Sequence, residues 1–257
     1  DKQKAHTALV ELDGVITPTG GVSADTIVEG LRDAFEDKNT KAVILRVNSP
    51  GGSPVQSSYI QKEIARLREK YEDIPLYAVV SDICASGGYY VASAADRIYV
   101  NESSLVGSIG VLMNGFGFTE AMQELGVERR LITAGEHKGI LDPFSPMSDF
   151  DRRHADQLLQ ELHLNFIDVV KQGRGDRLSD TQDLFSGLFW SGERAIELGL
   201  ADEIGSASSV ARDVVGEEKI VDFTPKDDPL ERLADRLGAA AAKAFVSMTG
   251  LGMDPRM

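Results

Sequence analysis

The chain has 257 residues, enough for a sizeable core in one large or two small domains, and its 42% apolar and 26% charged residues are ordinary for a soluble globular protein. A formal net charge of −14 argues against a nucleic-acid partner, because phosphate binding needs clustered Lys and Arg. The single cysteine, Cys84, excludes an intrachain disulfide and a Cys-based zinc site, and is expected to act as a small buried hydrophobe.

No apolar run is long enough to cross a bilayer, and no signal peptide is visible. The chain starts at Asp1 without methionine. A processed form is expected, from which an upstream segment such as a membrane anchor has been removed.

In chain order, "TALVELDGVI" (Thr7 to Ile16) predicts a strand. "SADTIVEGLRDAF" puts Ile27, Leu31, Ala34 and Phe35 on one helical face, with Ser23 or Asp25 as the cap. "KAVILRVNSPGG" is a fully apolar strand from Ala42 to Val47 ending in a Pro-Gly-Gly loop. A helix follows from about Val55 to Tyr71, with Ile60, Ile64 and Leu67 inward. "IPLYAVVSD" is another buried strand and runs into Cys84-Ala85-Ser86-Gly87-Gly88, which opens the next helix. Solid apolar strands alternating with helices predict βαβ units and a parallel sheet covered on both faces.

Further on, "RIYVNESSLVGSIGV" reads as short strands and turns, and "VERRLITAG" as another strand. From Ser148, a helix cap, a long helix is expected with Leu158, Leu162, Phe166 and Val169 as its stripe. Two short helical segments come next. One compact domain (1–226) and a helical C-terminal extension (227–257), able to pack on a neighbouring subunit, complete the expected organisation.

Ligands of parallel α/β sheets collect at the carboxyl ends of the strands. Two loops there carry unusual residues. In Asn48-Ser49-Pro50-Gly51-Gly52, glycines can turn backbone N–H groups toward negative charge. In Ala85-Ser86-Gly87-Gly88, Ser86 stands at a helix start, where N–H groups and the helix dipole favour a developing oxyanion. Each loop alone also reads as a plain turn; side by side they resemble an oxyanion hole beside a nucleophile.

A serine hydroxyl needs a base to take its proton. Of four histidines, His6 lies at a disordered-looking start, and His154 and His163 are expected to be solvated on the long helix. His137 sits in the loop "TAGEHKGILDPFSPM". Lys138 beside it lies among Gly135, Gly139, Ile140, Leu141 and Phe144, and a lysine also serves as base once burial keeps it neutral. From these residues alone the base stays open between the two.

Taken together, "NSPGG", "ASGGYYVASAADRIYV", "GSIGV", "GEHKGILDPF" and "SGLFWSGERAIELGLADEIGS", in this order, resemble the signal peptide peptidase A family of serine proteases, SohB-like short forms and peptidase family S49 included. The resemblance covers about Ala8 to Gly205. It implies a Clp protease/crotonase-like α/β fold and a Ser–Lys dyad, a variant of the serine-protease triad. Carried over residue by residue, the nucleophile is Ser86 and the general base Lys138. Ser108, in "GSIG", orients the lysine ammonium, and the N–H groups of Gly87 and Gly52 form the oxyanion hole. The implied reaction is acyl transfer to Ser86 followed by hydrolysis, with no metal or cofactor. Implied partners are remnant signal peptides and other membrane-derived or unfolded peptides, bound as an added strand in an apolar groove. Val55 and Ile83 are candidates to line its pockets. The family further implies a homo-oligomeric ring in which one subunit can complete another's site, and a membrane-associated bacterial protein tethered by an N-terminal helix that this chain lacks.

Three rivals are distinguishable. A Clp-type triad lacks a histidine between Ser86 and His137. A crotonase-type acyl-CoA enzyme would use a pocket carboxylate, for which Asp82 and Glu102 are the candidates. A catalytically inactive scaffold would not need Ser86, Lys138 and Ser108 together. Two motifs receive plain readings: Arg174-Gly175-Asp176 as a capping loop after a helix ending at Gly173, and the aromatic residues of "GFGF" (Gly115 to Phe118) as core or substrate channel.

Overall fold

The computed structural model describes residues 4–19 and 22–225. The expected tail at 227–257 lies outside the described residues. Strand β1 (His6–Asp13), helix α1 (Ala24–Glu36), strand β2 (Thr40–Ser49), helix α2 (Pro54–Lys70) and strand β3 (Leu76–Ala85) form two consecutive βαβ units. Helix α3 (Gly87–Ala92), strands β4 (Arg97–Val100) and β5 (Leu105–Gly107) and the short helix α4 (Thr119–Glu124) follow. The long helix α5 (Asp149–Arg174), strand β6 (Phe189–Ser191), helix α6 (Gly192–Glu197), strand β7 (Glu203–Ile204), helix α7 (Ala207–Ser209) and strand β8 (Ile220–Asp222) come next among the described residues.

These strands make one eight-stranded sheet in the order β6-β5-β3-β2-β1-β8, with β4 beside β3 and β7 beside β4. Every pairing is parallel except β5 with β6. Strand β3 is long enough to serve two neighbours: Tyr77 to Val79 pair with β4, and Ile83 to Ala85 pair with β5. That fork places the end of β3 and the end of β5 side by side.

Side chains alternate across the sheet, as a period of two demands. Ala8, Val10, Leu12, Val43, Leu45 and Val47 enter the large core under α1, α2 and α3. Leu9, Ile44, Val79 and Tyr99 face the other way, onto Ala207, Val210 and Ala211. Both faces are covered over most of their area, so the central strands read as largely apolar runs, broken in β1 and β2 by the paired Glu11 and Arg46. Helix α1 is capped by Ser23, whose side chain accepts the Thr26 N–H, and buries the expected Ile27, Leu31, Ala34 and Phe35. Helix α2 starts with Pro54 at its first position behind the Ser53 cap. Cys84 is buried, and burial pushes its thiol pKa up.

Four expectations change. The segment "VERRLITAG" forms no strand and is exposed, without strand pairing among the described residues. His6 is fully buried in β1: Nδ1 donates to the Lys4 carbonyl at 2.8 Å, so the Thr40 hydroxyl donates to Nε2 at 3.3 Å, and the ring stacks on Phe223. His163 is half-buried, and its Nε2–H donates to the Ile109 carbonyl at 3.1 Å, tying α5 to the strand end beyond Ser108. Helix α5 runs through Gly173 to Arg174, which is buried, and turns at Gly175 with φ +55°. The Gly173 position is packed so tightly that a Cβ there would lie 1.9 Å from the Ser93 carbonyl oxygen, which keeps the helix on α3.

Helix α5 has the expected Ser148 cap, reciprocated by Asp151. Its apolar stripe is only half covered. Phe166 and Val170 are buried, whereas Leu158 and Leu162 are exposed.

Candidate active site

Strand β3 ends in Ala85, and the chain turns at Ser86 directly into α3. Ser86 holds φ +51°, ψ −123°, a conformation that L-residues rarely adopt. The surroundings enforce it. The Ser86 N–H donates to the Gly107 carbonyl at 2.9 Å and the Ser86 carbonyl accepts from Tyr90 N at 2.9 Å. Although Ser86 is the cap residue of α3, its hydroxyl makes no capping bond, nor any other hydrogen bond among the described residues. A serine held on a sharp strand-to-helix turn with a free hydroxyl is the geometry of a nucleophile elbow.

The Pro-Gly-Gly loop after β2 is pressed against this turn. Ile16 N–H donates to the Gly51 carbonyl at 2.8 Å and Ser53 N–H to the Ile16 carbonyl at 2.8 Å. The Ser49 hydroxyl accepts the Gly51 N–H at 3.1 Å. Gly51 adopts φ +102°, and a Cβ there would lie 2.8 Å from Ser86 Cβ and 2.7 Å from Gly87 N. Gly52 N lies 3.3 Å from where a Gly87 Cβ would sit. Neither the Gly52 nor the Gly87 N–H has an acceptor among the described residues. Two open N–H donors therefore flank the Ser86 hydroxyl, one from each loop, as an oxyanion requires.

Ser108 is the third element. It follows β5 with φ +53°, and its N–H donates to the Leu188 carbonyl at 2.7 Å. Ser86, Gly87, Gly52 and Ser108 line one cleft of about 550 Å³. Its apolar lining is Tyr90, Val111, Leu112, Leu162 and Phe166. Val55 and Ile83 do not line it: Val55 is exposed on α2, and Ile83 pairs with Leu105 inside the sheet. Asp82 and Glu102 line a separate cavity near α7. The "GFGF" aromatics are neither core nor cleft; Phe116 and Phe118 are exposed, with Phe118 stacked on Phe144.

Lys138 lies outside the cleft. It is exposed, on the long segment between β5 and α5, with no ion pair among the described residues. His137 stacks on Phe150 at 3.9 Å between ring centroids, and His154 on the same ring at 5.9 Å. The segment exposes Leu112 (81%), Phe116 (77%) and Ile132 (94%).

Residues 68–220 match the family model of peptidase family S49. The chain belongs to peptidase family S49. Similarity to relatives extends beyond the matched residues. The chain is 34% identical to Protease 4 of Haemophilus influenzae over 77% of its own length and 32% of that protein's. It is 42% identical to a Brucella abortus protein named Na(+)/H(+) antiporter NhaA, over 84% of its own length and 29% of that protein's. The chain thus spans about a third or less of each of these two relatives. In fold, this S49 chain is similar to a solved mutant of the 1510-N membrane-bound stomatin-specific protease, with TM-score 0.53, 16% identity, and 87% and 99% of the two chains covered.

The contact of Gly51 with the elbow carries a direct test. Gly51→Ala is expected to slow labelling of Ser86 by a serine-directed fluorophosphonate by on the order of a hundredfold, because the methyl displaces the turn that holds the N–H donors. An unchanged labelling rate would remove the loop from the site.

Proposed function

We propose that the chain is a serine endopeptidase that works through a Ser86–Lys138 dyad and an acyl-enzyme. The observation that carries the reading is the strained Ser86 elbow with the open N–H groups of Gly52 and Gly87 beside its free hydroxyl. Lys138 takes the Ser86 proton as the oxygen attacks a peptide carbonyl. The two N–H groups stabilise the tetrahedral oxyanion, and the Lys138 ammonium then protonates the leaving amine. Water enters by the same route, its proton passing to Lys138, and frees the acyl group. The Ser108 hydroxyl accepts from the ammonium and orients it.

An exposed Lys138 outside its own chain's cleft supports a site completed by a second copy. In this reading Lys138 of one subunit reaches Ser86 of the next within a homo-oligomeric ring. The apolar side chains exposed around it favour burial in such an assembly. Substrates are remnant signal peptides and other membrane-derived or unfolded peptides, whose apolar side chains suit a lining of Tyr90, Leu112, Leu162 and Phe166. The setting is a bacterial membrane. Among the described residues no helix is long and apolar enough to cross a membrane. Antiport is not proposed, because the site carried here is a nucleophile elbow, and the antiporter name belongs to a protein of which the match covers 29%.

Mixing two inactive proteins tests the shared site. Subunits bearing Ser86→Ala and subunits bearing Lys138→Ala, dissociated and reassembled together, are expected to regain roughly a quarter of wild-type hydrolysis, since random rings join an intact serine to an intact lysine at that frequency. Mixtures as inactive as their parents would return the base to the serine's own chain. A wild-type chain that neither labels with fluorophosphonate nor hydrolyses peptides would leave a scaffold.

A further inference from the structure

The cleft has a second wall opposite the elbow. Helix α5 supplies it with Leu162, Asn165 and Phe166, of which Asn165 is polar. Its Oδ1 accepts the Tyr90 hydroxyl at 3.2 Å. Tyr90 is buried one turn beyond the nucleophile on α3, and its ring packs on Phe166 at 5.2 Å between centroids. The aromatic contact and the hydrogen bond together lock α5 to the helix that begins at Ser86.

In this structure the amide turns its oxygen, not its NH2, to the Tyr90 hydroxyl. A carboxamide has one accepting oxygen and an NH2 with two donors. With Oδ1 committed to Tyr90, the Asn165 NH2 has no acceptor among the described residues, and it stands at a cleft that also holds the open Gly52 and Gly87 N–H donors and the free Ser86 hydroxyl. Donors thus flank the cleft on both walls. An extended peptide offers a carbonyl at every residue, and the reacting carbonyl uses only the elbow's donors.

We propose that Asn165 is a substrate-binding residue that donates its amide N–H to a second main-chain carbonyl of the bound peptide, and that Tyr90 is the positioning residue that keeps the amide turned this way. The inference rests on the peptidase reading and names its ligand class: an extended peptide with a free carbonyl beyond the scissile one. Such an anchor reads backbone rather than side chain. It strengthens binding of every extended substrate and leaves small acylating reagents untouched.

The test separates the anchor from the chemistry. In a Ser86→Ala background, binding of a fluorescein-labelled extended apolar peptide is followed by anisotropy with Asn165 or with Asn165→Asp, which keeps the shape and removes both donors. The dissociation constant is expected to rise about five- to tenfold, as for one lost hydrogen bond. In the active protein, Asn165→Asp is expected to raise KM with little change in kcat and to keep the fluorophosphonate labelling rate within about twofold of wild type. Tyr90→Phe should give part of the same KM rise and be non-additive with Asn165→Ala, because the two side chains form one unit. Unchanged peptide affinity, or labelling that falls in step with hydrolysis, would overturn the inference. Wild-type protein that fails to label would sink the peptidase reading instead, while the anisotropy arm still decides Asn165.

Discussion

Ser86→Ala is expected to lower peptide hydrolysis by on the order of 10⁵-fold, with no loss of thermal stability. The two halves of this result have one cause. The Ser86 hydroxyl makes no hydrogen bond among the described residues, so its removal deletes no folded-state contact. Its backbone holds φ +51°, which costs stability for any side-chain-bearing residue and is kept in place by the Gly107 and Tyr90 hydrogen bonds. Ser86→Gly relieves that strain, and its melting temperature should match or exceed the wild type's while activity is lost. Lys138→Ala is expected to be as inactive as Ser86→Ala, and His137→Ala to remain largely active, since His137 is engaged in stacking on Phe150. A full rate in Lys138→Ala with loss in His137→Ala would move the base to histidine.

The sheet was legible in the sequence wherever burial acts on both faces of a strand. The apolar run at Ala42–Val47, broken only by Arg46, and the Ser23 and Ser148 cap positions correspond to observed elements. The run "VERRLITAG" shows the limit: its β-branched and apolar residues fit a strand only when a partner strand offers its hydrogen bonds, and none is present among the described residues. The same logic divides the site. Ser86 and the Pro-Gly-Gly loop are local features at the ends of neighbouring strands, so pattern alone brought them near each other. The Tyr90–Asn165 pair joins residues 75 apart and leaves no periodic trace. The polar face of its helix makes His163 read as solvated, yet its ring reaches the backbone carbonyl of Ile109. Lys138 is exposed and does not line the Ser86 cleft of its own chain, and no pattern along a single sequence would report a contact between copies such as the one proposed for it.

Arg174→Ala is expected to destabilise the fold by about 3–5 kcal/mol, although Arg174-Gly175-Asp176 reads in the sequence as a capping loop. Arg174 is 1% exposed at the end of α5. Its guanidinium donates to both Asp202 oxygens, at 2.8 and 2.9 Å, and its Nε–H to the Gly199 carbonyl at 2.9 Å. Asp202 also accepts the Ile98 N–H at 2.6 Å, so one carboxylate joins α5, β4 and the turn before β7. Removing the arginine leaves the Asp202 carboxylate only the Ile98 N–H and Arg177, at 3.4 Å, and Asp202→Asn leaves a buried cation without its counter-charge, so each variant should melt well below wild type. Burial alone would raise the Asp202 pKa, but the Arg174 hydrogen bonds and the Ile98 N–H outweigh it and hold the carboxyl below its ordinary value. A lowered folded-state pKa adds stability above the unfolded value of about 3.9, and that stability is lost as pH falls through the folded value. The wild-type advantage over Asp202→Asn should therefore be full near neutral pH and shrink in acid, as thermal melts across pH would measure. A gap that stays constant into strong acid would mean that packing, not the ion pair, holds this corner together.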